Sequence, residues 1–300
     1  KDMIRNEIVI TGGLGFIGQN FARYLDKKLN NYKIILYDKS KKNYKKVNFK
    51  SKKNKIIIII GNTLNIENKL SRFKNIKVLF HFGEFSRIVK SFEFTKECFS
   101  SNTLGTFQVL NFCKIRNIKL IYSASSSKFG NNGADENLSP YSWTKSKNIE
   151  LIKNFSEWFG LKYEIVYFFN VYGPGHSNYG KLSAVIGIFE GQYLNNKALT
   201  VVSPGTQLRD FTHVYDIVHG TYLAWKKNLN REYMLGTGKT YTINYIAKLF
   251  NHEIQMVPSR LGERLSSTKT NNETYKILGY KPKINIEKYI KDFVKNNKKK

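Results

Sequence analysis

The stretch Ile8-Val9-Ile10-Thr11-Gly12-Gly13-Leu14-Gly15-Phe16-Ile17-Gly18 decides the fold of this 300-residue chain. An aliphatic run passes through closely spaced glycines into an amphipathic segment carrying Phe21 and Leu25, which reads as strand, tight turn and helix. Glycines let a backbone approach a pyrophosphate, and the helix N-terminus offers unpaired N–H groups and a positive dipole end to its charge. A sharp strand-to-helix turn without a ligand uses the same residues, so the next segment matters. The run 34–37 ends in Asp38, about 20 residues beyond the loop, where a carboxylate can accept from the ribose hydroxyls of an adenosine. Together they predict a dinucleotide site built from Gly12, Gly15, Phe16, Ile17, Gly18 and Asp38. Asp38 repels a 2′-phosphate and so favours NAD over NADP, although Lys39 beside it works against that preference.

Outward from this loop, short aliphatic runs at 7–10, 33–37, 55–60, 78–82, 120–123 and 164–168 alternate with longer amphipathic stretches. That alternation predicts repeated βαβ units and an α/β fold, a doubly wound parallel sheet of the Rossmann kind. Runs without polar alternation, such as 56–60, suit strands covered by helices on both faces. Beyond Asn170 the regularity gives way to punctuation at Gly173, Pro174, Gly175, Pro204, Gly205 and Pro258, where a smaller C-terminal α+β substrate-binding region is expected. The expected division is 1–169 and 170–300, with a return segment to the first part near 210–228. No linker separates the halves, so a shared cleft is expected between them.

Composition narrows the classes. With 41% hydrophobic residues the chain can bury a large core. Cys98 and Cys113 lack the paired spacing of a zinc or redox motif, so neither a metal nor a disulfide is expected and a reducing cytoplasm fits. The longest aliphatic run, 56–60, is too short to cross a bilayer, and neither export nor a membrane span is expected. A formal net charge of +28 would attract nucleic acid or other anions. Because the lysines are spread along the chain with abundant Asn and Ile, biased base composition is the preferred explanation, and a nucleic-acid partner is not expected. The Lys-rich segment 296–300 reads as a frayed tail.

The spacing Thr-Gly-x-x-Gly-x-x-Gly at Thr11, Gly12, Gly15 and Gly18 resembles the short-chain dehydrogenase/reductase superfamily, which implies a Tyr-x-x-x-Lys pair. Tyr24/Lys28, Tyr37/Lys41, Tyr193/Lys197 and Tyr222/Lys226 match that pattern by accident. Tyr141/Lys145 opens a helical segment running to about Trp158, which puts the two side chains one turn apart on one face. An ammonium and a nicotinamide cation near a phenol favour the phenolate, which makes Tyr141 a general base and acid. Upstream, Ala124-Ser125-Ser126-Ser127 resembles the family's serine-rich segment, with Ser125 aligned on the catalytic hydroxyl that bonds the reacting sugar oxygen.

Further segments resemble the extended, sugar-nucleotide branch of that superfamily from the glycine loop to Pro282. His81-Phe82-Gly83-Glu84 resembles the loop that borders the cofactor, with Phe82 against it, although the family more often has a small residue where Glu84 stands. Asn102 matches an Asn near cofactor and sugar, and Asn62 stands where the family often has an adenine-binding Asp. The resemblance assigns Asn170, Arg209, Arg260 and Glu263, with Ser125, to a sugar diphosphate, and Arg suits phosphate because its planar fork meets two oxygens. The resemblance also implies a homodimer through helices near 93–116 and 142–158. The loops around 85–89 and 176–181 are expected to shape the sugar pocket, with His176 a solvated loop histidine.

The branch shares oxidation at sugar carbon 4. Its dehydratases and decarboxylases place an acid just after the catalytic hydroxyl, where this chain has Ser126 and Ser127, and its 3,5-epimerising reductases use a cysteine that is absent from this segment. The reading is therefore an NAD-dependent nucleoside-diphosphate-sugar 4-epimerase, with a UDP-linked substrate expected. A 4,6-dehydratase or 4-ketoreductase is the alternative within the branch. A nucleic-acid-binding or regulatory protein on an inherited fold is the alternative outside it.

Overall fold

Aliphatic runs that show no alternation in sequence become strands buried on both faces in the middle of the sheet, whereas the run 56–60 forms an edge strand and is only half-buried. In the computed structural model, which describes residues 5–40, 51–178, 183–266 and 272–297, the strands are β1 (Asn6–Thr11), β2 (Tyr32–Asp38), β3 (Lys55–Ile60), β4 (Ile76–His81), β5 (Lys119–Ser125), β6 (Tyr163–Phe168), β7 (Asn170–Tyr172), β8 (Leu199–Val202), β9 (Leu208–His213), β10 (Glu232–Leu235), β11 (Thr240–Thr242) and β12 (Ile254–Val257). The helices are α1 (Phe16–Lys28), α2 (Ile66–Lys69), α3 (Ile88–Glu93), α4 (Thr95–Phe99), α5 (Gly105–Ile115), α6 (Pro140–Phe159), α7 (Val185–Leu194), α8 (Val214–Lys226), α9 (Ile243–Lys248), α10 (Asn272–Leu278) and α11 (Ile286–Asn297).

Seven strands form one parallel sheet in the order β3-β2-β1-β4-β5-β6-β10. Val9, Ile35, Leu79, Leu120 and Ile165 point to one face, where Val109, Ile149, Ile152 and Phe155 of α5 and α6 cover them. Their neighbours Ile8, Ile10, Ile34, Val78 and Ile121 point to the other, under Phe21 and Leu25 of α1 and Ile217 and Val218 of α8. Two helical layers thus explain why these strands read as unbroken apolar runs. All six strands expected from the sequence are present. The edge strand β10 is not among them, because a four-residue run that pairs only with β6 carries little pattern of its own.

The chain order of the first four strands places a switch between β1 and β4, so the carboxyl ends of the strands open onto a crevice. A smaller part, with the sheet β11-β9-β7 and the pair β12-β8, closes the crevice from the other side around its own core of Tyr172, Phe189, Phe211, Ile246, Phe250 and Ile290. Helix α11 runs through Asn297, which corrects the reading of residue 296 onward as frayed tail, since Ile286, Ile290 and Val294 at helical spacing anchor it. Residues 298–300 lie outside the described residues. Among the described residues no helix is long and apolar enough to cross a membrane.

Candidate active site

A cleft of about 1470 Å³ runs along the carboxyl ends of the strands and is lined by both parts of the molecule. That exceeds what one small ligand fills and suits two substantial ones. At one end lie Gly12, Gly15, Phe16, Ile17, Gly18, Asp38, Asn62 and Phe82. A Cβ on Gly18 would stand 2.2 Å from Gly12 O, and one on Gly12 would stand 2.9 Å from Gly83 Cα, so both positions require glycine for the turn to close. The N-terminus of α1 has no side-chain cap and no acidic residue in its first turn, which leaves its N–H groups facing the cleft for an anion. Asp38 accepts from Leu14 N at 3.0 Å and from Ser40 N at 2.9 Å, one bond per oxygen, and each oxygen keeps a lone pair for a ribose hydroxyl. Asn62 caps a short turn by accepting from Leu64 N at 3.1 Å. These residues fit a dinucleotide such as NAD.

Mid-cleft, Ser125, Tyr141 and Lys145 line the floor together. Ser125 ends β5 and its Oγ accepts from Ser127 N at 3.2 Å, which leaves the hydroxyl hydrogen free to donate into the cleft. Tyr141 stands in the first turn of α6, fixed by Ser139 accepting from Ser142 N at 3.0 Å and by Pro140 at the helix start. Lys145 follows one turn later and is buried: its ammonium donates to Ser123 O at 2.6 Å, to Tyr122 OH at 3.3 Å and to Glu84. Of the accidental pairs, Tyr24/Lys28, Tyr193/Lys197 and Tyr222/Lys226 lie away from the cleft, and Lys41 is outside the described residues.

Beneath the floor, Thr106 Oγ1 donates to Glu84 at 2.8 Å and therefore accepts from His81 Nε2 at 3.0 Å. His81 Nδ1 then accepts from Thr11 Oγ1 at 2.7 Å, and Thr11 Oγ1 accepts from Gly83 N at 3.1 Å. The network thus assigns one neutral tautomer. Burial, aided by Lys145, lowers the His81 pKa to about 4.

At the other end Asn170, Arg209, Arg260 and Glu263 line the cleft. Arg209 donates to Glu263 at 3.0 Å and to Arg264 O at 2.7 Å, and burial with Arg264 beside it lowers its pKa to about 10. Arg260 is 50% exposed, with its Nε 4.0 Å from Glu263. Asn170 donates to Asp210 O at 3.0 Å.

Two lining arginines escape a reading of the sequence: Arg87, before α3, and Arg264, only 6% exposed. Arg264 Nε and Nη1 meet no acceptor, and both arginines lie within electrostatic reach of Tyr141. In a chain with 50 basic residues neither stands out; only their burial marks them.

Two expectations need correction. Asn102 does not line the cleft: fully buried, it accepts from Phe85 N at 2.7 Å and donates to Phe85 O and Thr144, so it holds the Phe85 loop in place. His176 is not a solvated loop histidine; its side chain is 7% exposed and bonded to Glu190 at 2.6 Å, because Glu190 of α7 turns inward beneath the loop. Residues 179–181 of that loop lie outside the described residues.

Comparison with known proteins bears on the family and the fold. A putative UDP-glucose 4-epimerase of Methanocaldococcus jannaschii is 30% identical over 97% of this chain and 99% of its own length. The dTDP-D-glucose 4,6-dehydratase of Dictyostelium discoideum is 29% identical over 79% of this chain and 59% of its own. The crystal structure of the UDP-glucose 4-epimerase of Thermotoga maritima shares the fold, with a TM-score of 0.88 at 24% identity over 96% of this chain and 97% of that one. Residues 8–236 match the family described as NAD dependent epimerase/dehydratase. The expected α/β fold, NAD cofactor and enzyme class therefore stand, and the chain is a member of the NAD-dependent epimerase/dehydratase family of sugar-nucleotide enzymes.

Proposed function

We propose that the protein is a nucleoside-diphosphate-sugar 4-epimerase that acts on a UDP-hexose, with NAD retained through each turnover. The observation that carries this reading is that Ser125, Tyr141 and Lys145 all line one cleft, with serines at 126 and 127 directly after Ser125. Among the described residues, the carboxylates that line the cleft are Asp38, Glu84, Glu97 and Glu263. Asp38 accepts from two backbone N–H groups, Glu84 holds Lys145 and Glu263 holds Arg209. Glu97 is exposed on α4. None of them directly follows Ser125 in the chain, the position from which the dehydratases of this branch supply the acid for elimination of water. The name of the relative from Methanocaldococcus jannaschii supports both the reaction and the uridine nucleotide.

Bound NAD supplies the acceptor for hydride from sugar carbon 4 and its donor on return. The chain's residues do the rest. Ser125 donates to the reacting oxygen, Tyr141 takes its proton and gives it back, and Arg209, Arg260 and Arg264 hold the diphosphate while the keto sugar turns over. Asn170 and Glu263 orient those contacts. Residues 1–169, with the return segment near 210–228, hold the cofactor, and 170–300 hold the sugar nucleotide. A cytoplasmic homodimer completes the reading: Phe94, Phe99, Leu104, Phe107, Trp143 and Trp158 are exposed on the helices from α4 to α6 and their approaches, where a second copy would cover them.

Incubation with NAD and a panel of UDP-, GDP- and dTDP-hexoses, followed by proton NMR, tests the reaction. A carbon-4 epimer without net NADH is expected, and a 4-keto-6-deoxy product contradicts it.

A further inference from the structure

Lys145 has three N–H donors and three acceptors on them, Ser123 O, Tyr122 OH and Glu84. The last is a carboxylate whose side chain is 2% exposed beside an ammonium 8% exposed, so the two charges face each other with almost no water between or around them. Glu84 also accepts from Thr106 at 2.8 Å, from Asn148 at 2.9 Å and from Tyr122 OH at 3.1 Å. Four donors thus converge on one carboxyl group, and a carboxylate only accepts.

We propose that Glu84 is a positioning residue for Lys145: it pins the ammonium beneath the cleft floor and offsets its charge, so that Tyr141 works beside a neutral pair in place of a lone cation. This rests on Tyr141 and Lys145 being the working pair of the proposed reaction.

The surroundings leave that role to Glu84. Around the carboxylate, His81 of β4 stays neutral, burial raises Tyr122 of β5 well above the ordinary phenol range, and the buried Cys98 thiol of α4 is raised as well. None of these adds a charge near neutral pH. Arg87 and Arg264, which line the cleft, also reach Tyr141 electrostatically. Removing the Glu84 charge therefore exposes Tyr141 to an uncompensated Lys145, and the phenolate gains.

The test is a Glu84→Gln variant of the full chain loaded with NAD. The near-ultraviolet absorbance of the Tyr141 phenolate, taken as the difference from the same protein carrying Tyr141→Phe, is followed against pH beside the pH profile of kcat/KM. Both midpoints should fall by roughly one pH unit, a tenfold gain in phenolate at a pH below the midpoint. Glu84→Asp, which keeps the charge, should leave the absorbance midpoint near that of the parent. If Glu84→Gln does not fold, the double variant Glu84→Gln/Lys145→Gln carries the test: its midpoint stays near the parent's if the pair is neutral to Tyr141. An unmoved midpoint in Glu84→Gln, or a double variant whose midpoint rises by a unit or more, overturns the proposal. The absorbance titration needs no turnover, so a protein that epimerises nothing but shows the shift keeps this inference and loses the proposed reaction.

Discussion

Protonating His81 is costly in the folded chain because Nδ1 would have to donate toward a Thr11 hydroxyl that already donates to it. Its pKa of about 4, against an ordinary 6.5, means the unfolded chain takes the proton first as the medium acidifies. The His81 contribution is whole above pH 6.5 and is lost as pH falls toward 4, a decline of roughly 3 kcal/mol. Urea denaturation at several pH values checks this: His81→Gln should be less stable near neutrality and should lose less on acidification. Lys145→Met strands the buried Glu84 carboxylate, and unfolding stability should drop by roughly 3–5 kcal/mol, as it does when one partner of a buried pair is removed. Tyr141→Phe should fold normally, since its hydroxyl faces the cleft, bind NAD as before, and lose about two to four orders of magnitude in kcat. At this scale the sequence was legible where a motif fixes spacing, as with Tyr141 and Lys145. It was silent on Arg264 and on the inward turn of His176, because burial is decided by segments distant in the chain.

At the scale of elements, the two glycines at the ends of α1 and α6 separate space from backbone strain. Gly18 in α1 packs against the turn before it, and Gly18→Ala, with its Cβ 2.2 Å from Gly12 O, should cost about 1–3 kcal/mol and weaken NAD binding. Gly160 caps α6 at φ +68 with nothing within 4 Å of an added Cβ, so Gly160→Ala should cost only the left-handed backbone term, about 1–2 kcal/mol, with NAD affinity unchanged. Denaturant midpoints and an NAD titration of the two variants check the contrast. Six strands and the α6 boundary could be read in advance because apolar runs, Ser139, Pro140 and Gly160 act locally. Strand β10 could not, since its place is set by pairing with β6. The abundant asparagines also carry structure that composition hides: Asn31, Asn117, Asn196, Asn230 and Asn251 all adopt positive φ at turns, where Asn is tolerated best after glycine.

Over the whole molecule, the charge of +28 and the exposed aromatic helices pose separate questions. Charge spread along the chain should give nucleic-acid binding that fades at physiological salt, since it lacks contacts beyond phosphate attraction. The apolar surface on α5 and α6 should bury itself against a second copy, and Phe107→Glu with Trp158→Glu should shift sedimentation toward the monomer while the fold persists. Much of the architecture of the cleft was legible because several of its segments end strands: Thr11, Asp38, His81 and Ser125 close β1, β2, β4 and β5. The identity of the sugar was not, because the loops that shape its pocket carry no motif. The central claim is that Ser125, Tyr141 and Lys145 remove and restore hydrogen at one carbon of one sugar. The direct measurement is turnover of a UDP-hexose labelled with deuterium at carbon 4, read by NMR and mass spectrometry with NAD present. Label retained at carbon 4 of the epimer, with no net NADH, is the predicted result; label moved to carbon 6 with loss of water, or left in reduced cofactor, would contradict the account.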